Sequence, residues 1–99
     1  MKYTIYQLGN TPEGKELLFC KYDDVKDKID KSKYAKVWES TVDESENIND
    51  TLNKIYEKLN VDLPAGFYGH TPSVSDVSVF ENGDAYYIDV IGFKKLNNF

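Results

Sequence analysis

Asp76 and Asp89 stand at equal distances on either side of Asn82-Gly83, and that symmetry is the sharpest chemical hint in the sequence. Asn and Gly both tolerate positive φ, so the spacing predicts a two-residue type I′ turn and a β-hairpin. In that register Phe80 faces Ala85, Val79 faces Tyr86, Val77 faces Ile88 and Asp76 faces Asp89. Like charges opposed across two strands are destabilising unless something compensates them. One solution is a divalent cation with His70 as third ligand, since carboxylate oxygens suit Mg²⁺, Ca²⁺ or Mn²⁺. The plainer solution, and the preferred one, makes the carboxylates acceptors for backbone N–H groups and hydroxyls of the Gly66–Ser75 loop, with no metal or cofactor.

Nothing else in the chain assembles a catalytic centre by spacing. His70 is the single histidine and Cys20 the single cysteine. Neither a Ser-His-Asp nor a Cys-His arrangement can be read, and a multi-cysteine zinc site or an intrachain disulfide is ruled out. His70, between Gly69 and Thr71, reads as a loop hydrogen-bonding group, and Cys20, beside Leu18 and Phe19, as a small apolar residue. The expectation is a protein without enzymatic activity. Glu39, Asp43, Glu44, Glu46 and Asp50 place five carboxylates in twelve residues with no lysine among them. They read as a solvated strand-to-helix turn that feeds negative charge to a helix start. The sharper reading is an anionic, partner-binding patch that meets a Lys/Arg-rich groove in place of phosphates.

Composition narrows the partners. The chain has 99 residues, net charge −5 and a basic complement of twelve residues that are all Lys. Without Arg there is no bidentate fork for phosphate or guanine, and an acidic surface argues against direct nucleic-acid binding. No apolar run approaches the length of a membrane span, so a soluble cytoplasmic chain of one domain is expected, with no membrane partner.

The elements that must hold these residues follow from periodicity. Lys2–Leu8 alternates as a strand, and Gly9–Gly14 stops it. Lys15–Tyr22 predicts a short helical turn and Asp23–Lys33 a short surface helix laced by charges. Lys33–Val42 predicts a second strand, with Tyr34, Trp38 and Val42 on one side and Ala35, Val37, Glu39 and Thr41 on the other. Asn47 is placed to cap a helix whose apolar stripe is Ile48, Leu52, Ile55, Tyr56 and Leu59. Leu63–Pro72, rich in Gly and Pro, is an ordered connection into the hairpin. One face of that hairpin collects Val77, Val79, Tyr86, Ile88 and Val90, and the other Asp76, Ser78, Phe80, Tyr87 and Asp89. The expected fold is α+β: a mainly antiparallel sheet of about four strands with a C-terminal β-hairpin, one main helix covering one face, and one or two short helices.

Gly69-His70-Thr71-Pro72-Ser73-Val74-Ser75-Asp76-Val77, with Tyr86-Tyr87-Ile88-Asp89 and Gly92-Phe93-Lys94, resembles the signature of the YodL-like domain of Gram-positive bacteria and their mobile elements. Tyr3–Leu8 and the helix end at Leu59-Asn60 follow the same order. The resemblance implies no enzymatic activity. It implies either an accessory protein of a phage or plasmid or a regulatory adaptor. In the first case the partner is a host protein with a basic nucleic-acid-binding groove, such as a Cas nuclease, inhibited in the anti-CRISPR manner. In the second an aromatic face docks another host protein.

Overall fold

The structure, a computed structural model, describes residues 1–9, 11–97 and 99. Its elements run β1 (Lys2–Leu8), α1 (Pro12–Leu17), α2 (Tyr22–Val25), a 3-10 turn (Lys31–Lys33), β2 (Tyr34–Thr41), α3 (Ile48–Val61), β3 (Val77–Phe80), β4 (Ala85–Ile88) and β5 (Phe93–Leu96). The strands form one antiparallel sheet in the order β2-β1-β3-β4-β5. The α+β expectation holds, with five strands where about four were expected. The run Ala85–Leu96 breaks at Asp89–Gly92, where Gly92 takes φ +71°, and returns as β5.

The main helix is the one its sequence pattern predicts. Asn47 caps it, its side chain accepting from the Asn49 N–H at 2.8 Å. Leu52, Ile55, Tyr56 and Leu59 are buried against Tyr3, Ile5, Val37, Phe80 and Tyr86. The sheet's second face is also covered. Leu17 of α1 and Val25 of α2 pack on Val77, Ala85 and Tyr87, so two apolar layers sandwich the sheet where one was expected. Helix α1 begins earlier than Lys15 because Thr11 caps it, accepting from the Gly14 N–H at 3.1 Å, with Pro12 in the first turn. The helix expected over Asp23–Lys33 shrinks to the single turn α2 and the 3-10 turn, since one charged stretch with few apolar residues cannot propagate a longer one.

Two local irregularities reassign side chains to faces. In the hairpin, the Phe80 N–H donates to Asp84 O at 2.9 Å and the Gly83 N–H to Phe80 O at 2.8 Å, so the loop is the three residues Glu81, Asn82 and Gly83. Only Gly83 among them has positive φ, +92°, whereas a type I′ turn needs it at both central positions. The register therefore shifts by one from the expectation: Val77 faces Tyr87, Ser78 faces Tyr86 and Val79 faces Ala85. Tyr86 and Ile88 join Ser78 and Phe80 on the α3 face, and Tyr87 crosses to the other. In β2, Ile5 faces Trp38 but Tyr6 faces Lys36, so Val37 is an extra residue in a bulge. Val37 thereby joins Trp38 on the α3 face, and Tyr34 turns to the opposite face, reversing the alternation expected for both.

Candidate functional site

Asp76 is fully buried just before β3, held in a network that ties three distant segments together. Gln7, the last inward residue of β1, donates its amide N–H to Asp76 Oδ2 at 3.0 Å and to His70 O at 2.8 Å. Its Oε1 accepts from the His70 N–H at 3.1 Å. Asp76 Oδ2 also accepts from the Ser73 N–H at 3.1 Å. One glutamine side chain thus grips both backbone groups of His70, and a carboxylate steadies the glutamine. Gly69 makes the approach possible, because a Cβ there would lie 1.9 Å from Gln7 Oε1. Tyr34 adds its hydroxyl to Ser75 O at 2.8 Å. Burial pushes that hydroxyl well above the usual phenol range, which keeps it a donor.

The network leaves charge and strain in place. Burial raises the Asp76 carboxyl to about 7, against the hydrogen bonds from Gln7 and Ser73 and the nearby His70, which favour the ionised form. Ser75 stands at φ +90°, and the Ser75 N–H donates to Ile88 O while the Ile88 N–H donates to Asp76 O. Two residues oppose one there, a bulge whose first position is normally glycine. Ser73 Oγ, Ser75 Oγ and Asp76 Oδ1 are buried without a hydrogen-bond partner among the described residues.

The bulge and the shifted register separate the expected carboxylate pair. Asp76 opposes Ile88, while Asp89 turns to the other face and accepts from the Tyr22 N–H at 3.0 Å, holding the start of α2. The imidazole of His70 is exposed, with Nδ1 2.8 Å from Thr71 O, so its backbone alone serves the clamp. The proposed ligands Asp76, Asp89 and His70 are therefore not brought together. Among the described residues no group of three His, Cys, Asp or Glu is placed to hold a metal. Cys20 is half-buried beside Leu17, its carbonyl accepting from the Tyr87 hydroxyl at 2.6 Å.

The acidic cluster is divided as well. Glu39 lies on the sheet face away from α3, 3.2 Å from the Lys2 ammonium and 3.9 Å from that of Lys36. The hydrogen bond from Lys2 holds its carboxyl below the usual range. Asp43, Glu44 and Glu46 are exposed on the β2–α3 connection, and Asp50 is exposed on the first turn of α3. None of these four enters an ion pair among the described residues. Asp43 also borders a cleft of about 540 Å³ shared with Lys54 and Lys58 of α3.

The YodL-like domain family model matches residues 2–99, a span that contains Gln7, His70, Asp76 and the acidic connection alike. The chain belongs to the YodL-like domain family. No curated protein and no solved structure matches it.

In this YodL-like domain the clamp residue that sequence reasoning missed is Gln7. Its only signal was a long polar side chain at an inward position of an otherwise apolar strand alternation. Tyr68 is 87% exposed beside half-buried Trp38, whose ring lies 5.9 Å from Phe67, and a shallow cleft of about 270 Å³ runs between Trp38, Tyr68 and Gly66. No helix among the described residues is long and apolar enough to cross a membrane.

Proposed function

We propose that this YodL-like domain is a non-enzymatic binding protein whose β2–α3 connection docks on a basic, nucleic-acid-handling surface of a host defence protein, such as a Cas nuclease, and blocks it. The observation that supports this reading is the set Asp43, Glu44, Glu46 and Asp50, four exposed carboxylates along the β2–α3 connection and the first turn of α3, without an ion pair among the described residues, in a chain with net charge −5. Such a cluster raises the encounter rate with a cationic groove and is screened by salt. Glu39 drops out of the patch because two lysines already neutralise it. The absence of Arg and the acidic balance disfavour nucleic acid itself as the ligand.

The test is binding to, and inhibition of, a Cas nuclease and a panel of nucleic-acid-binding host proteins across a salt series. Wild type is compared with a variant carrying Asp43→Lys, Glu44→Lys and Glu46→Lys. Association slowed at least tenfold, with a flatter salt dependence, supports the acidic surface. Unchanged affinity moves the reading to a cytosolic regulatory adaptor docking through its aromatic face, for which exposed Tyr68, lining one cleft with Trp38, is the specific observation.

A further inference from the structure

The outer edge of β2 offers backbone as well as charge. The Met1 N–H donates to Val42 O at 2.8 Å and the Val42 N–H to Met1 O at 2.9 Å, which makes this a hydrogen-bonded pair of the antiparallel ladder. With Lys2 facing Thr41, Tyr3 facing Ser40 and Thr4 facing Glu39, hydrogen-bonded pairs alternate with open ones along the strand. Val42, Ser40 and Trp38 therefore aim their N–H and C=O groups at β1, while Thr41 and Glu39 aim theirs outward. The far side of β1 agrees: Lys2 turns its carbonyl the other way, accepting from the Glu81 N–H at 3.0 Å. β2 is the first strand of the sheet, so no strand lies beyond Glu39 and Thr41, and Gly66 and Tyr68 border Glu39 only across a shallow cleft. Part of the edge is already used as a strand seat, since the Tyr68 N–H from the Leu63–Pro72 loop donates to the bulged Val37 O at 3.0 Å.

We infer that the occupant of this edge is an extended, Lys/Arg-bearing segment of the partner, which adds as a strand along Glu39–Thr41 and reaches the acidic connection with its basic side chains. Asp43 and Glu44 follow Thr41 by two and three residues, about 7 and 10 Å along extended chain, the reach of the next side chains on an added strand. Backbone bonds to Glu39 and Thr41 fix direction and register, and Asp43, Glu44 and Glu46 select for cations. Exposed Lys36 and the Lys2–Glu39 pair guard the same edge against apolar, nonspecific strands. This inference rests on the acidic-surface reading for the charge of the occupant and on the sheet geometry for its conformation, so the two can fail separately.

The probe is an acetylated eight-residue peptide alternating lysine and valine, titrated against the protein at low salt with amide exchange followed residue by residue. The expected result is slowed exchange at the Glu39 and Thr41 amides, with the Trp38 and Ser40 amides, already bonded to β1, unchanged. Thr41→Pro removes one outward N–H and no bond to β1, which an edge strand tolerates. It should weaken the peptide about tenfold, the scale of a lost backbone hydrogen bond and its neighbour's misalignment, with the salt dependence kept. Thr41→Ala should bind like wild type. If Thr41→Pro binds unchanged and Glu39 and Thr41 gain no protection, strand addition is overturned, while weakening by the lysine triple variant would leave the acidic-surface reading intact. If the triple variant binds unchanged, the basic occupant is overturned with that reading. Protection of Glu39 and Thr41 that grows with protein concentration and without peptide would overturn it in favour of a second copy of this chain.

Discussion

The two faces of the sheet are built by different means, and Asp76 and Asp89 show the difference. The α3 face is closed by one long amphipathic helix, and it buries a polar clamp at its margin, where the Asp76 carboxyl is raised to about 7. The opposite face is closed by two short helices of six and four residues. There Asp89 is half-buried and does a simpler job, receiving the first N–H groups of α2 and of its own turn, from Tyr22 and Val90. Just before β3 one carboxylate bears a desolvation cost, and just after β4 the other has a helix end to hold. A long helix brings enough apolar area to offset a buried charge. Short helices need their ends tied down.

The largest effect should come from weakening the long helix. Leu52→Ala or Ile55→Ala should cost about 2–5 kcal/mol in urea unfolding, the range for truncating a buried aliphatic side chain. A loss below about 0.5 kcal/mol, as for ordinary surface substitutions, would mean that α3 does not carry this face.

Next comes the proton on Asp76. Unfolded, the carboxyl titrates at its ordinary 3.8, and folded at about 7. The folded chain binds more protons between those values, so this contribution is complete below about pH 4 and is lost as pH rises towards 7. Wild type should therefore lose about 2–4 kcal/mol over that window from this group, and Asp76→Asn should flatten the loss. An unfolding profile that is the same for both would contradict a buried, proton-holding Asp76. Gly69→Ala should open the same clamp by driving a methyl group into Gln7 Oε1, seen as faster amide exchange at His70.

Asp89→Ala should cost less, about 0.5–2 kcal/mol, the scale of a lost helix cap, with faster exchange confined to α2 and its neighbours. A loss equal to that of Leu52→Ala would erase the contrast between the faces. Smallest for the fold are Asp43→Lys, Glu44→Lys and Glu46→Lys, each expected within about 0.5 kcal/mol of wild type in urea unfolding, because these carboxylates are exposed.

The sequence by itself determined the α+β class, β1, the cap and buried stripe of α3, and the existence of a hairpin near Asn82-Gly83. Each of these is written in neighbours a few residues apart, where periodicity and turn chemistry act. Sequence also made Asp76 a structural acceptor for the loop before it, and the Ser73 N–H bond is that role. What tertiary structure decided was facing. A three-residue loop in place of a two-residue one shifted the cross-strand pairing of the hairpin by one position, and the bulge at Val37 reassigned Tyr34 and Val37. Asp76 meets Gln7, 69 residues away, because β3 pairs with β1. Glu39 left the acidic patch for the same reason: Lys2 approaches it only across the β1–β2 pair. Local preferences choose strands and helices at nearly every register, but a shift of one residue costs little locally and reverses which face each side chain meets, so packing of both layers has to make that choice.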